Sequence, residues 1–378
     1  MITTSDFMSG HYEENSGYKY FVPSKVNDTW HWNNPEINTI LERAAIKLGE
    51  LNSFSKLVPN IDLFIKMHVT KEAVISSRIE GTRTQISEAF MPIEEIDDER
   101  RNDWIEVNNY VKAMNYAIES LKTLPISSRL IRNAHKILLS EVRGKYKMPG
   151  EYRTSQNWIG GASIADAKYI PPHHSLLNEL MSDLENFING DLAIPDLIKI
   201  AIIHYQFESI HPFLDGNGRV GRLLITLFFI EKKILDKPLL YLSAFFDKNR
   251  NLYYDNLANV KRSNDIEQWI KFFLVGVEQT SQNAVSTLSE VIKYKQETEE
   301  LINKNFGRRV SSALAVFKKL LVNPSADIET IIKITESSYK SANDLVKLFI
   351  QYGILNETTG RSRNRYFKMN KYLEIFSE

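Results

Sequence analysis

The sequence predicts a mainly α-helical protein with one short β-hairpin and a small C-terminal winged helix-turn-helix unit. Three observations carry that expectation. Apolar residues recur at three- and four-residue spacing through most of the chain from Pro35 onward, the period of helices buried along one side. Strand patterns are scarce before the C-terminal end; the one convincing pair is 157–161 with 168–172, flanking a short polar link. The tail then shows three short helical patterns, 311–321, 327–334 and 340–352, followed by a polar turn and Arg365-Tyr366-Phe367-Lys368-Met369. Three helices and a small hairpin is the winged-helix order, with 340–352 as the candidate recognition helix.

Taken in order, residues 1–35 are polar and aromatic with little periodicity, and read as an extended arm laid over a surface. A helix follows from Pro35, with Ile37, Ile40, Leu41, Ala44, Ala45 and Leu48 on one side. A second helix over 60–80 turns Phe64, Ile65, His68, Val69, Ala73 and Val74 inward, and Gly81 is suited to end it. His68 on that face is expected to be a core or interface histidine. Further helices are expected over 104–121, 128–142 and 176–188. Tyr253-Tyr254 begins another, 265–279 is amphipathic around Trp269, Phe272 and Phe273, and 280–305 reads as a long, more polar connector. The expected division is 1–99, 100–280, 281–307 and 308–378.

Bulk properties narrow the function. The 378 residues are long enough for two or three domains, and 43% hydrophobic with 25% charged residues is ordinary for a globular protein. The formal net charge is zero, so attraction to nucleic acid or acidic membrane must be local. One local bias exists: from Arg308 onward, 12 Lys and Arg face 7 Asp and Glu. The chain has no cysteine, which excludes disulfides and thiolate metal sites. No signal peptide and no apolar run of the roughly 20 residues needed to span a membrane is visible. A cytoplasmic protein is expected.

The chemistry concentrates in His211-Pro212-Phe213-Leu214-Asp215-Gly216-Asn217-Gly218-Arg219-Val220-Gly221-Arg222, set between the apolar runs 197–204 and 223–230. A polar, glycine-rich loop between buried helices is costly for stability, because glycine loses the most backbone freedom on folding. Gly216, Asn217 and Gly218 can turn backbone N–H groups toward a phosphate where a helix begins. Arg219 and Arg222 lie three apart and can fork onto different phosphates. Asp215 is a hard oxygen ligand suited to Mg²⁺ that bridges phosphates. His211 has an intrinsic pKa near neutrality, suited to a general base. His173-His174 after Pro171-Pro172 has no nearby acidic partners and reads as a loop pair, not a metal site.

This stretch resembles the HPFxxGNGRxxR signature of Fic domains at every fixed position. Lys147-Met148-Pro149-Gly150-Glu151-Tyr152-Arg153, the flap leading into Ile170-Pro171-Pro172, and Tyr253-Tyr254 with Trp269 agree with it, and the likeness covers about 100–280. Ser76-Ser77-Arg78-Ile79-Glu80-Gly81 is similar to the family's inhibitory motif, with Ser76 and Glu80 in the fixed places. The resemblance implies a Fic-type helical core with a short hairpin flap. It implies transfer of AMP from ATP, with Mg²⁺, to a Ser, Thr or Tyr hydroxyl of a target protein. His211 would take the hydroxyl proton as pyrophosphate leaves. It adds Phe213, Tyr241, Tyr253 and Tyr254 to the nucleotide contacts, and pairs Glu80 with Arg222 so that ATP binds nonproductively.

Two other readings use the same residues. Glu80 could orient a water that removes AMP from a modified target, or the core could sense nucleotide for a DNA-binding regulator acting through 308–378. Self-modification and a homodimer are left open, and the flap is expected to receive the target's backbone as an added strand.

Overall fold

The computed structural model describes residues 1–15, 17–58, 60–361 and 364–376. It opens with β1 (Ile2–Thr3), a hairpin of β2 (Gly10–Asn15) and β3 (Tyr18–Pro23), and β4 (Trp30–His31), which runs parallel to β1. α1 (Pro35–Leu57) starts where the Asn34 side chain accepts a hydrogen bond from Glu36 N at 3.0 Å and proline fixes the first turn. α2 (Asp62–Ile79), α3 (Ile86–Ala89), α4 (Arg101–Ser120), α5 (Ser128–Leu138) and α6 (Leu177–Asn189) follow. α7 (Asp196–Ile210) and α8 (Asn217–Glu231) are buried nearly all round, so neither has a polar stripe. They form the centre of the larger core, with α9 (Ser243–Lys248), α10 (Arg250–Ser263) and the 40-residue α11 (Ile266–Asn305) around them.

The last stretch comprises α12 (Val310–Leu320), β5 (Ser325–Asp327), α13 (Ile328–Thr335), α14 (Tyr339–Gln351), β6 (Asn356–Glu357), β7 (Tyr366–Lys368) and α15 (Asn370–Glu374). Its sheet has the antiparallel order β5-β7-β6. Asp327 and Ser338 cap α13 and α14 by accepting from Thr330 N and Ser341 N. A second core gathers these elements with Val58, Phe64 and Met67 of the α1–α2 region, Phe90, and Val291 and Ile302 of α11. No helix among the described residues is long and apolar enough to cross a membrane.

Four expectations change. The arm at 1–35 contains a real hairpin, registered from Gly10 opposite Pro23 to Asn15 opposite Tyr18. The segment 157–172 is not a laddered hairpin: among the described residues it holds a single antiparallel bridge, Ile159 to Tyr169. Gly160 and Gly161 at φ of +70° and +77° carry the chain out of strand geometry. Instead, β3 reaches it, and Phe21 N donates to Ile170 O at 2.9 Å. Nor does the chain break near residue 280. Ser281, Ala284, Leu288 and Val291 continue the inward stripe of α11 beyond Val277, so one helix serves as core and connector. The helix expected over 128–142 ends at Leu138.

Candidate nucleotide site

The site lies where α7 ends and α8 begins. His211 follows α7 in the left-handed region at φ 49°, ψ 60°, a conformation uncommon for a residue with a side chain. Arg153, only 2% exposed, holds it there. Its Nε donates to His211 O at 3.0 Å, its other guanidinium nitrogens donate to Ser155 O and Pro172 O, and its backbone N donates to Pro212 O at 2.9 Å. The rest of the loop is closed by Asn217. Its Oδ1 accepts from Phe213 N and its Nδ2 donates to Phe213 O, both at 2.8 Å. Asn157 Nδ2 adds a donor to the same carbonyl at 3.0 Å. The side chain of Asn217 therefore shapes the loop, while its backbone N–H stays at the helix entrance. Phe213 is fully buried and stacks on His135, ring centroids 3.7 Å apart, so it too supports the loop. His135 Nδ1 accepts from Gly150 N at 2.9 Å, so its Nε2 is free to donate to Asp215 O at 3.0 Å.

Gly216 enters α8 at φ +77°, and the N–H groups of Asn217, Gly218 and Arg219 have no carbonyl one turn back to bond. These donors and the positive helix end meet at Gly218. A Cβ on Gly218 would run into the Glu80 carboxylate and the Arg222 guanidinium, so both charged groups sit directly over the helix entrance.

Both arginines already have partners. Arg219, 3% exposed, donates from Nη1 to Glu106 Oε2 at 3.0 Å and from Nη2 to Asp215 Oδ1 at 3.4 Å. Arg222, also 3% exposed, donates from Nε to Ser76 Oγ at 2.8 Å and from Nη2 to Ser76 O at 2.9 Å and Glu80 Oε1 at 2.6 Å. Ser76 and Glu80 meet Arg222 from the end of α2, across 146 and 142 residues of chain. Glu80 keeps a third of its side chain open to solvent. Burial alone would raise its pKa, but the Arg222 charge and hydrogen bond outweigh that and hold it below the ordinary value.

Asp215 is 42% exposed at its side chain, and its Oδ1 accepts from Gly216 N and Arg219. Its second oxygen lies 3.3 Å from where a Cβ on Gly144 would stand. Among the described residues no cluster of three His, Asp or Glu forms a metal cage. His173 instead caps its own turn through Ser175 and lies against Tyr20.

The imidazole of His211 departs from the near-neutral pKa expected. Burial, then the Arg153 charge, push it down to about 3, with Lys261 adding to them and Glu80 opposing. It is thus an unprotonated base at neutral pH. Its Nδ1 is buried without a partner among the described residues. The aromatic wall is unequal. Tyr253 is 1% exposed, and its hydroxyl donates to His204 Nε2 at 2.9 Å while His204 Nδ1 donates to Gly221 O at 3.1 Å. Tyr254 is 44% exposed, 5.2 Å from the Tyr253 ring, and feels the charges of Glu80 and Arg222. Tyr241 is buried, with its hydroxyl unpartnered among the described residues and Glu72 nearby.

Sequence reading missed Glu106, His135, Glu208 and the loop-holding role of Arg153. Glu208, one turn before His211, is held up at about 7, first by burial and despite Arg222, with its carboxylate against Gly221. Only Arg153 carried a usable signal, since it closes the segment 147–153 already singled out.

A helix entrance with open N–H groups, an unprotonated histidine beside it and two buried arginines is an arrangement chemically suited to a phosphate group. Residues 39–119 match the model of the Fic/DOC family N-terminal region, and residues 125–229 that of the Fic/DOC family. Both matched stretches are similar to the Fic/DOC family, and between them they include Ser76, Glu80 and the 211–222 stretch. Over 239 residues it is 29% identical to a probable protein adenylyltransferase of Aquifex aeolicus, covering 62% of this chain and 66% of that protein. Over 255 residues it is 24% identical to protein adenylyltransferase Fic of Drosophila grimshawi, covering 65% of this chain and 49% of that one. A crystal structure of a Fic family protein from Desulfovibrio desulfuricans superposes with a TM-score of 0.56 at 19% identity, covering 89% and 96% of the two chains, a likeness of fold.

Proposed function

We propose that the chain is a protein adenylyltransferase that moves AMP from ATP to a Ser, Thr or Tyr hydroxyl on a target protein, and that Glu80 brakes it. The observation that carries this reading is the unprotonated His211 imidazole set beside the open start of α8. Polyphosphate bonds to the N–H groups of 217–219, and its negative charge raises the His211 pKa from its depressed value. His211 takes the proton of the incoming hydroxyl. That oxygen bonds the α-phosphorus, the bond to the pyrophosphate oxygen breaks, and pyrophosphate leaves with the charge. Asp215 is the residue to hold Mg²⁺, which neutralises phosphate charge when bound. Tyr254, the more open of the tyrosine pair, borders the base, and Tyr253 and Tyr241 back it.

Arg222 is the group to hold the γ-phosphate, and Glu80 occupies it. Glu80→Gly should therefore raise AMP transfer to the protein itself or to lysate proteins, measured with ATP labelled on the α-phosphate, and His211→Ala should abolish it. Equal labelling of wild type and Glu80→Gly would overturn the brake. If Glu80→Gly instead stopped removal of AMP from a modified protein, removal would be the principal reaction.

A second role rests on the tail, which we read as a winged helix-turn-helix unit. α14 exposes Tyr339, Lys340 and Lys347, and Arg365 from the β6–β7 connection donates to Asn343 Oδ1 at 2.6 Å. This helix, with Arg365 beside it, is the face proposed for duplex DNA. A salt-dependent mobility shift of duplex by the full chain, weakened by Lys340→Ala with Lys347→Ala, tests it; no shift at low salt would rule it out.

A further inference from the structure

α2 belongs to both cores. Phe64 and Met67, in its first half, are fully buried in the second core with α12, α14, α15 and the sheet β5-β7-β6. Val69, Ala73, Val74 and Ile79, from its middle to its end, are buried in the first core. The change of allegiance falls at His68, whose ring meets Phe376 edge-on at 5.2 Å and whose Nε2 has no partner among the described residues.

Beside this point lies a cavity of about 320 Å³. One wall is Lys66 and Thr70 of α2, another is Asn108 and Val111 of α4, and the C-terminal elements supply Ala326 and Tyr366. Tight packing leaves a helix no second position, whereas an open cleft beside it leaves room to shift. Farther along, Glu72 is 2% exposed and its Oε1 accepts from Ser243 Oγ of α9 and from Tyr110 OH of α4 at 3.1 Å. Glu72, Ser76 and Glu80 follow at four-residue steps, and the last two hold Arg222. From His68 to Glu80 the rise is about 18 Å, a span a helix carries as a nearly rigid rod.

We propose that the C-terminal unit sets the strength of the Glu80 brake through α2, with the Glu72 contacts as the pivot. The inference rests on the reading that Glu80 restrains Arg222. It adds that whatever displaces the C-terminal unit, or fills the cavity at Thr70, shifts Ser76 and Glu80 from Arg222 and raises AMP transfer. The C-terminal unit then controls the reaction without touching nucleotide.

The test places Thr330→Trp, which fills the cavity from the C-terminal side, and Phe376→Leu, which loosens the His68 contact, each in the full chain and again in Glu80→Gly. Each should raise AMP transfer roughly fivefold or more in the wild-type chain, the lower end of ordinary coupling between sites. In Glu80→Gly each should leave it unchanged, because the brake is already absent. Hydrogen exchange of the amides of 76–81 should quicken in both variants whether or not AMP is transferred. Equal changes in the two backgrounds, or unchanged exchange at 76–81, would overturn the coupling. If Glu80→Gly transfers no AMP at all, the adenylyltransferase reading fails, and the exchange measurement still decides whether the C-terminal unit acts on the end of α2.

Discussion

Lowering the pH from 6.5 to 5 should destabilise this protein, by an amount that follows from six groups whose titration desolvation shifts. Burial pushes the imidazoles of His68, His204 and His211 down to about 3 and that of His135 to about 4. The folded chain keeps all four neutral, while the unfolded chain protonates them near 6.5. Their contribution is whole above that value and is lost as the pH falls toward the folded pKa values. Over this interval the four together withdraw about 6 kcal/mol. Glu72 and Glu208 work the other way, because burial raises each to about 7. They take up protons in the folded chain at pH values where the unfolded carboxyls stay ionised. They return about 3 kcal/mol. The net loss is about 3 kcal/mol, a large share of the roughly 5–15 kcal/mol that folded proteins have. Urea unfolding followed by tryptophan fluorescence at the two pH values measures it, and His68→Leu should reduce the loss by about 1–2 kcal/mol. Equal or greater stability at pH 5 would refute the account of neutral buried histidines.

Glu106→Ala should cost about 3 kcal/mol or more in the same unfolding assay, because among the described residues it leaves the buried Arg219 guanidinium with only the 3.4 Å contact to Asp215. A double-mutant cycle with Arg219→Met reads the pair directly, and a coupling below about 0.5 kcal/mol would show that the two charges act independently. Asn217→Ala should lose about 1–3 kcal/mol, since it strands the buried Phe213 N–H. Its larger effect should be on the KM for ATP, measured in Glu80→Gly, and an unchanged KM would mean that the loop holds its shape without the clamp.

Most helices were legible because their inward residues repeat on their own. α1 and α2 show this from Ile37 to Leu48 and from Phe64 to Val74. α11 was divided at about residue 280 because its outward face turns polar there, although Ala284, Leu288 and Val291 keep the inward spacing. The hairpin at 10–23 escaped notice because β2 is exposed at four of its six positions and so shows no buried alternation. The flap misled in the opposite direction: its residue types favour strands, but Gly160 and Gly161 break the ladder.

At the site, the 211–222 stretch was legible as a local pattern, whereas the pairing of Glu80 with Arg222 came only through the family resemblance. The partners supplied by tertiary packing were not. Glu106 answers Arg219 across 113 residues, and His135 answers Asp215 across 80, with no spacing in the sequence to announce either. Position alone also could not show that the His211 pKa falls to about 3, since that depends on burial and on Arg153.

The clamp from Asn217 to both backbone groups of Phe213 makes the turn its own template. With Arg153 gripping the carbonyls on the other side, the turn needs no phosphate to acquire its shape. A ligand meets amides already aimed, so little ordering accompanies its arrival and little disorder follows its departure. Such a cradle discriminates by charge and contour while remaining quick to release a spent product. In the proposed reaction, control of turnover then passes to the carboxylate of Glu80, which lies over the cradle.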